Sequence, residues 1–182
     1  MRVLASGLIT VKEMQIAIAI VFSATFFIGL YLVWLGGTLI LLIGILSILS
    51  GMAYTAGPYP LAYNGLGDIF VFLFFGFVGT VGTYYVHTLE ITMLPVLASI
   101  PVGGLITNIL VVNNYRDVDE DRIAGKNTLV VKLGKTFSKG EYIFLVIVSY
   151  AVPVLLYFFY EVSFWIFLPF LTLPIALKLI FM

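Results

Sequence analysis

The sequence predicts an all-α polytopic membrane protein with about six transmembrane helices. Three observations carry that expectation. Of the 182 residues, 62% are hydrophobic and 10% charged, and the mean hydropathy is +1.17. A soluble domain is about 45–50% apolar and about 25% charged, so a water-soluble fold of this size could not hide so much apolar surface. The apolar residues also fall into runs near the roughly 20-residue length that crosses a bilayer. Finally, much of the charge gathers in one stretch, NNYRDVDEDR, from Asn113 to Arg122.

The runs are read as spans over about Met14 to Trp34, Thr38 to Thr55, Ile69 to Val86, Met93 to Val112, Tyr142 to Tyr160 and Phe164 to Phe181. Gly36-Gly37, the stretch Gly57-Pro58-Tyr59-Pro60 and the step Glu161-Val162-Ser163 punctuate them as turns. Pro153, Pro169 and Pro174 fall inside spans, where neighbouring helices can satisfy the carbonyls they free. Gly76, Gly79 and Gly82 on the third span, and Gly103 and Gly104 on the fourth, read either as close helix packing or as the wall of a cavity. No soluble domain is interleaved, so residues 1–182 are expected to form a single transmembrane domain.

Lys and Arg set the orientation. With Met1 to Glu13 in the cytoplasm and the spans alternating, Arg2, Lys12, Arg116, Arg122, Lys126, Lys132, Lys135, Lys139 and Lys178 all fall on or near that side. Trp34 and Trp165 then lie at the outer interface, the position of an aromatic belt.

Composition also excludes. Zero net charge gives no basis for a nucleic-acid partner, and nothing marks an obligate protein partner. Without cysteine there is no disulfide, thiolate metal site or cysteine nucleophile. A single histidine, His87, rules out a multi-histidine cluster and falls across the membrane from the charged loop. A bound metal must therefore have oxygen ligands, which points to a hard cation such as Mg²⁺.

Within the charged stretch, Asn113, Asp117 and Asp121 follow one another at intervals of four. If the fourth span continues as a helix past Val112, an amide and two carboxylates form one ladder at the membrane's inner edge. Such a ladder suits a divalent ion that takes one or two carboxylates plus substrate phosphates. Arg116, Arg122, Lys126 and Lys132 supply nearby cations for phosphate oxygens. The competing reading is a solvated charged loop. A lipid-soluble diphosphate would explain both the charged head site and the apolar spans. Its allylic carbon would lose diphosphate with the metal as Lewis acid, and an electron-rich aromatic ring would trap the carbocation.

Two segments resemble the UbiA-type intramembrane prenyltransferases. NNYRDVDEDRIAGKNTLVVKLGK, Asn113 to Lys135, is similar to the family's second aspartate-rich motif and its basic tail. YTAGPYPLAYNGLGD, Tyr54 to Asp68, resembles the cytoplasmic loop of the branch that prenylates 1,4-dihydroxy-2-naphthoate. SGLIT, Ser6 to Thr10, resembles the entry to that branch's third helix. The resemblance implies a bundle that usually has nine helices, with polyprenyl diphosphate as donor and the naphthoate as acceptor. The acceptor loses CO₂ to give demethylmenaquinone. It implies that Asp117 and Asp121 bind Mg²⁺ and diphosphate, with Asn113 above them and Arg122, Lys126 and Lys132 as diphosphate contacts. Tyr59 and Asn64 would help to place the acceptor, or else serve to stiffen their loop. Asp68 reads equally as a helix cap.

The first aspartate-rich motif of the family has no counterpart here; the chain reads as beginning inside the loop that carries it and stopping a helix early. Activity of this chain alone is therefore uncertain on sequence grounds. Other classes fit less well: a transporter or scaffold predicts ionisable groups inside the spans, which carry essentially none, and a lipid-alcohol phosphotransferase predicts a signature before Asp117 that is missing. Other acceptors, such as 4-hydroxybenzoate or a glyceryl phosphate, fit the Tyr54 to Asp68 loop less well.

Overall fold

The computed structural model describes residues 7–180. Arg2 and Ser6, used above, and Phe181 at the end of the sixth expected span lie outside the described residues. Among those described there are helices and turns but no strand, and the chain divides into two compact units, Met1–Ile45 and Leu46–Met182.

The first helix, α1, runs Val11–Thr55. Its start is a reciprocal cap. The Glu13 carboxylate accepts from the Thr10 amide at 2.7 Å and its hydroxyl at 2.8 Å, and the Glu13 amide donates back to Thr10 Oγ1 at 3.2 Å. The run is interrupted at Gly37, whose φ of 68° and ψ of −157° are open to glycine alone. This interruption falls where the Gly36-Gly37 turn was expected between two spans. Gly36 is the buried residue of α1, and the helix otherwise presents apolar side chains such as Phe22, Phe27 and Trp34 outward, as a lipid-facing helix does.

In the second unit, a short 3₁₀ turn at Leu61–Tyr63 leads to a continuous helical span, Gly67–Thr88. It comprises α2 (Gly67–Val71), a π-helical stretch (Phe72–Val78) and α3 (Gly79–Thr88). The next helices are α4 (Met93–Arg116), α5 (Val118–Ile123), α6 (Leu129–Leu133) and α7 (Lys135–Tyr160). Among the described residues, four helical runs, including α1 and α7, are long and apolar enough to cross a membrane.

The sixth expected span differs. It forms a 3₁₀ segment, Phe164–Thr172, followed by α8, Leu173–Ile180. Pro169 has no amide to donate and lies within the 3₁₀ segment, whereas Pro101 and Pro153 are accommodated inside α4 and α7. Pro174 stands in the first turn of α8, where a missing amide costs nothing.

Helix α4 is the centre of this unit. Adjacent glycines serve different neighbours: a Cβ on Gly103 would lie 2.9 Å from the Phe72 carbonyl oxygen and 3.1 Å from Gly76 Cα, whereas one on Gly104 would lie 2.8 Å from Ser149 Oγ on α7. Without side chains at these points the backbones approach closely, the usual device in a solvent that provides no hydrophobic drive between helices. The α4–α7 contact also carries polar bonds. Asn108 Nδ2 donates to the Tyr142 carbonyl at 3.2 Å, and Ser149 Oγ donates to Leu145 O at 2.7 Å while lying 3.4 Å from Pro101 O. The core at this interface is Val111, Val146, Val152 and Leu156. Packing is thus the role of Gly76, Gly103 and Gly104, while a Cβ on Gly82 would meet nothing within 4 Å.

Candidate metal–diphosphate site

The helical path continues through the charged stretch almost without a break. Asp117 leaves ideal helix geometry (φ −94°, ψ 13°), yet its amide still donates to Asn113 O at 3.0 Å and the Asp121 amide to Asp117 O at 2.8 Å. Asn113, Asp117 and Asp121 therefore occupy successive turns of one path.

Each carboxylate has its own cation. Arg116 grips Asp117 with two bonds, Nε to Oδ1 at 2.6 Å and Nη2 to Oδ2 at 2.8 Å, in the fork geometry of a guanidinium on a carboxylate. The Arg116 hydrogen bond, helped by the charges of Arg116 and Lys126, holds the Asp117 carboxyl below the usual carboxylate range. Asp121 is buried, at 6% exposure, and Lys126 Nζ lies 2.8 Å from its Oδ1. Gly125, at φ +72°, turns the chain after α5 so that the Lys126 amide also reaches Asp121 O at 2.9 Å.

A second loop is fastened to this one. The Asn127 amide donates to Tyr63 O at 2.8 Å, Lys132 Nζ donates to Asn64 O at 2.8 Å, and Lys126 Nζ stands 5.5 Å above the centre of the Tyr63 ring. Gly65, at φ +77°, is held so near that a Cβ would lie 3.1 Å from Asn127 O. Of the expected site residues, the structure thus brings Asp121, Lys126, Lys132 and the backbone of Asn64 together. Asn64 directs its side-chain amide to Pro60 O at 2.8 Å, within its own loop. Tyr59 and Arg122 are exposed, and His87 sits at the far end of the Gly67–Thr88 span.

Below Asn113 opens a cavity of about 410 Å³ between α4, α7 and the 164–180 segment, lined by Asn108, Asn113, Tyr142, Tyr150, Thr172 and apolar neighbours. Asn113 belongs to both the ladder and the cavity, so a ligand with a charged head and an apolar body could lie along both.

Several of these residues escape a sequence reading. Tyr63 and Asn127 are joined through backbone groups, which no side-chain pattern reveals, although the Tyr63 ring also faces Lys126. Asn108 had a signal, an amide in mid-span. Asp68 is not a cap: the cap position of α2 is Leu66, and Asp68 lies buried at 4% exposure, where it acts electrostatically on Tyr54 and on Glu141 of α7.

Among the described residues no three metal-ligating side chains form a group. Two carboxylates on successive turns do fit an ion that keeps several waters and completes its shell with substrate phosphates.

An all-helical membrane bundle with a carboxylate ladder at a helix end defines the class, and comparison of sequences supplies the family. The UbiA prenyltransferase family model matches residues 1–182, and the chain belongs to that family. It is 39% identical to a 1,4-dihydroxy-2-naphthoate octaprenyltransferase of Haemophilus influenzae over 140 residues, 74% of this chain and 46% of the relative. An Escherichia coli K12 protein of the same name is 34% identical over 184 residues, covering 98% of this chain and 60% of its own. The mouse UbiA prenyltransferase domain-containing protein 1 is 34% identical over 131 residues, 72% of this chain and 38% of its own. The chain spans about half the length of the curated relatives it matches. No solved structure matches it significantly.

Proposed function

We propose that this chain supplies the diphosphate-binding side of an enzyme that transfers a polyprenyl group from its diphosphate to 1,4-dihydroxy-2-naphthoate in menaquinone biosynthesis. One observation carries the reading: the Asn113–Asp117–Asp121 ladder ends an apolar span directly above a cavity that Asn113 also lines. The names of the bacterial relatives support the choice of donor and acceptor.

In this reading Asp117 and Asp121 hold the metal, which is Mg²⁺, and Lys126 with Arg122 bears on the diphosphate oxygens. Bound Mg²⁺ would supply Lewis acidity and neutralise the leaving diphosphate. The chain's own residues do the rest. The ladder fixes the head group, and the apolar residues that line the adjoining cavity receive the hydrocarbon chain. Departure of diphosphate breaks the allylic C–O bond; the acceptor ring carbon forms the new C–C bond and releases its carboxyl group as CO₂. Tyr59 and Asn64 belong to the loop that would flank the acceptor. Residues 1–182 act as a single transmembrane domain of a bacterial or archaeal cell membrane, with the loops at 56–68 and 113–141 on the cytoplasmic side.

The test is transfer in proteoliposomes with labelled polyprenyl diphosphate and the naphthoate, scoring CO₂ release. Asp117→Asn and Asp121→Asn are each expected to lower Mg²⁺-dependent turnover by about 100-fold or more. Near-normal turnover in either variant overturns the metal assignment. Transfer to 4-hydroxybenzoate in preference to the naphthoate overturns the acceptor.

A further inference from the structure

The clasp between the two loops carries a second consequence, which rests on the functional reading above. Asp121 is buried, and its carboxylate pairs with Lys126, whose side chain is only 30% exposed. An ionised carboxylate so placed is stable only with a compensating charge beside it. A divalent ion arriving at Asp121 must displace the ammonium, which then has to find another anion close by. The structure provides a pivot for that exchange. The Tyr63 ring faces Lys126 Nζ at 5.5 Å, and Tyr63 O is tied to the Asn127 amide at 2.8 Å, one residue further on. The ring therefore travels with the segment that bears the lysine.

We propose that Lys126 is the resident counter-ion of Asp121, exchanged by Mg²⁺ and passed to the incoming diphosphate, and that Tyr63 is the positioning residue that keeps its ammonium at the site during the exchange. No bond is made or broken; one ion pair, Lys126–Asp121, is replaced by Mg²⁺–Asp121 and Lys126–diphosphate. The ammonium competes with Mg²⁺ but cooperates with diphosphate, so its removal has effects of opposite sign on the two ligands. A merely structural lysine would weaken both or neither.

The experiment is calorimetry on the purified protein in detergent, titrated with Mg²⁺ alone and with inorganic diphosphate in saturating Mg²⁺. Lys126→Met is expected to bind Mg²⁺ alone about tenfold more tightly and diphosphate about tenfold more weakly. Tyr63→Phe keeps the ring face and should match the unsubstituted protein, whereas Tyr63→Leu should weaken diphosphate binding and leave Mg²⁺ binding unweakened. Because Tyr63→Leu could loosen the loop, the sign reversal at Lys126 is the deciding result. Weaker or unchanged Mg²⁺ binding in Lys126→Met overturns the exchange, and equal losses in both Tyr63 variants overturn the role of the ring. If the unsubstituted protein binds no diphosphate with Mg²⁺, the functional reading falls and the exchange falls with it.

Discussion

Gly76 and Gly82 lie on one span, within two helical turns of each other, and alanine should have opposite effects at the two. At Gly76 a Cβ would lie 2.7 Å from Gly103 Cα, 3.0 Å from Ser99 O and 3.1 Å from Gly103 N. All three atoms are backbone, so no side chain can swing aside. Restoring ordinary contact requires the two helices to part by about 0.7 Å, which forfeits a quarter to a half of the dispersion attraction along the contact. Overpacking of this kind costs about 1–3 kcal/mol, against a gain of about 1 kcal/mol from replacing glycine by alanine in a helix. Gly76→Ala should therefore destabilise by up to about 2 kcal/mol. At Gly82 a Cβ meets nothing within 4 Å, so only the gain remains and Gly82→Ala should stabilise by about 0.5–1 kcal/mol. Reversible unfolding in mixed micelles, followed by tryptophan fluorescence and circular dichroism, measures both. If Gly76→Ala is as stable as Gly82→Ala, the backbones do not meet at Gly76 and the account of α4 as a closely packed centre is wrong.

Other expectations follow from the same contacts. Because Arg116 depresses the Asp117 carboxyl, the stability this contact adds is present above the ordinary carboxylate range and is lost as pH falls through the lowered folded value. Arg116→Gln should remove that part of the acid dependence, seen as a flatter unfolding midpoint against pH below about 4. Glu161 closes α7 in the left-handed region at φ 50°, a conformation that costs a side-chain-bearing residue about 1–2 kcal/mol, so Glu161→Gly should raise the unfolding midpoint. His87→Ala, far from the ladder, should leave diphosphate binding unchanged in the calorimetric titration that Asp121→Asn abolishes.

The membrane class was legible because it depends on summed composition and on runs of apolar residues, which survive any detail of packing. The i, i+4 ladder was legible too: a helix ending in water keeps its period, and the hydrogen bonds through Asp117 show that period carried on past Arg116. The sixth run is legible as apolar and helical, but apolar character alone does not reveal that its first half takes 3₁₀ rather than α geometry. Glycines also look alike in a sequence. Gly76 and Gly82 were grouped together, and only the neighbouring backbone separates a contact from an open position. The link between the loops was invisible, since two of its acceptors are carbonyl oxygens that every residue possesses.

That last feature has an effect on how the protein tolerates change. Lys132 binds the carbonyl of residue 64, and Asn127 the carbonyl of residue 63, whatever side chains those positions bear. A saturation scan of this region should accordingly be lopsided. Position 64 would accept many replacements with the join between the loops intact. Lys132, which provides the reaching arm, and Gly65, whose positive φ sets the path of the acceptor loop, would accept few. Two loops more than sixty residues apart in sequence would thus be held in partnership while only one of them records it in its alphabet.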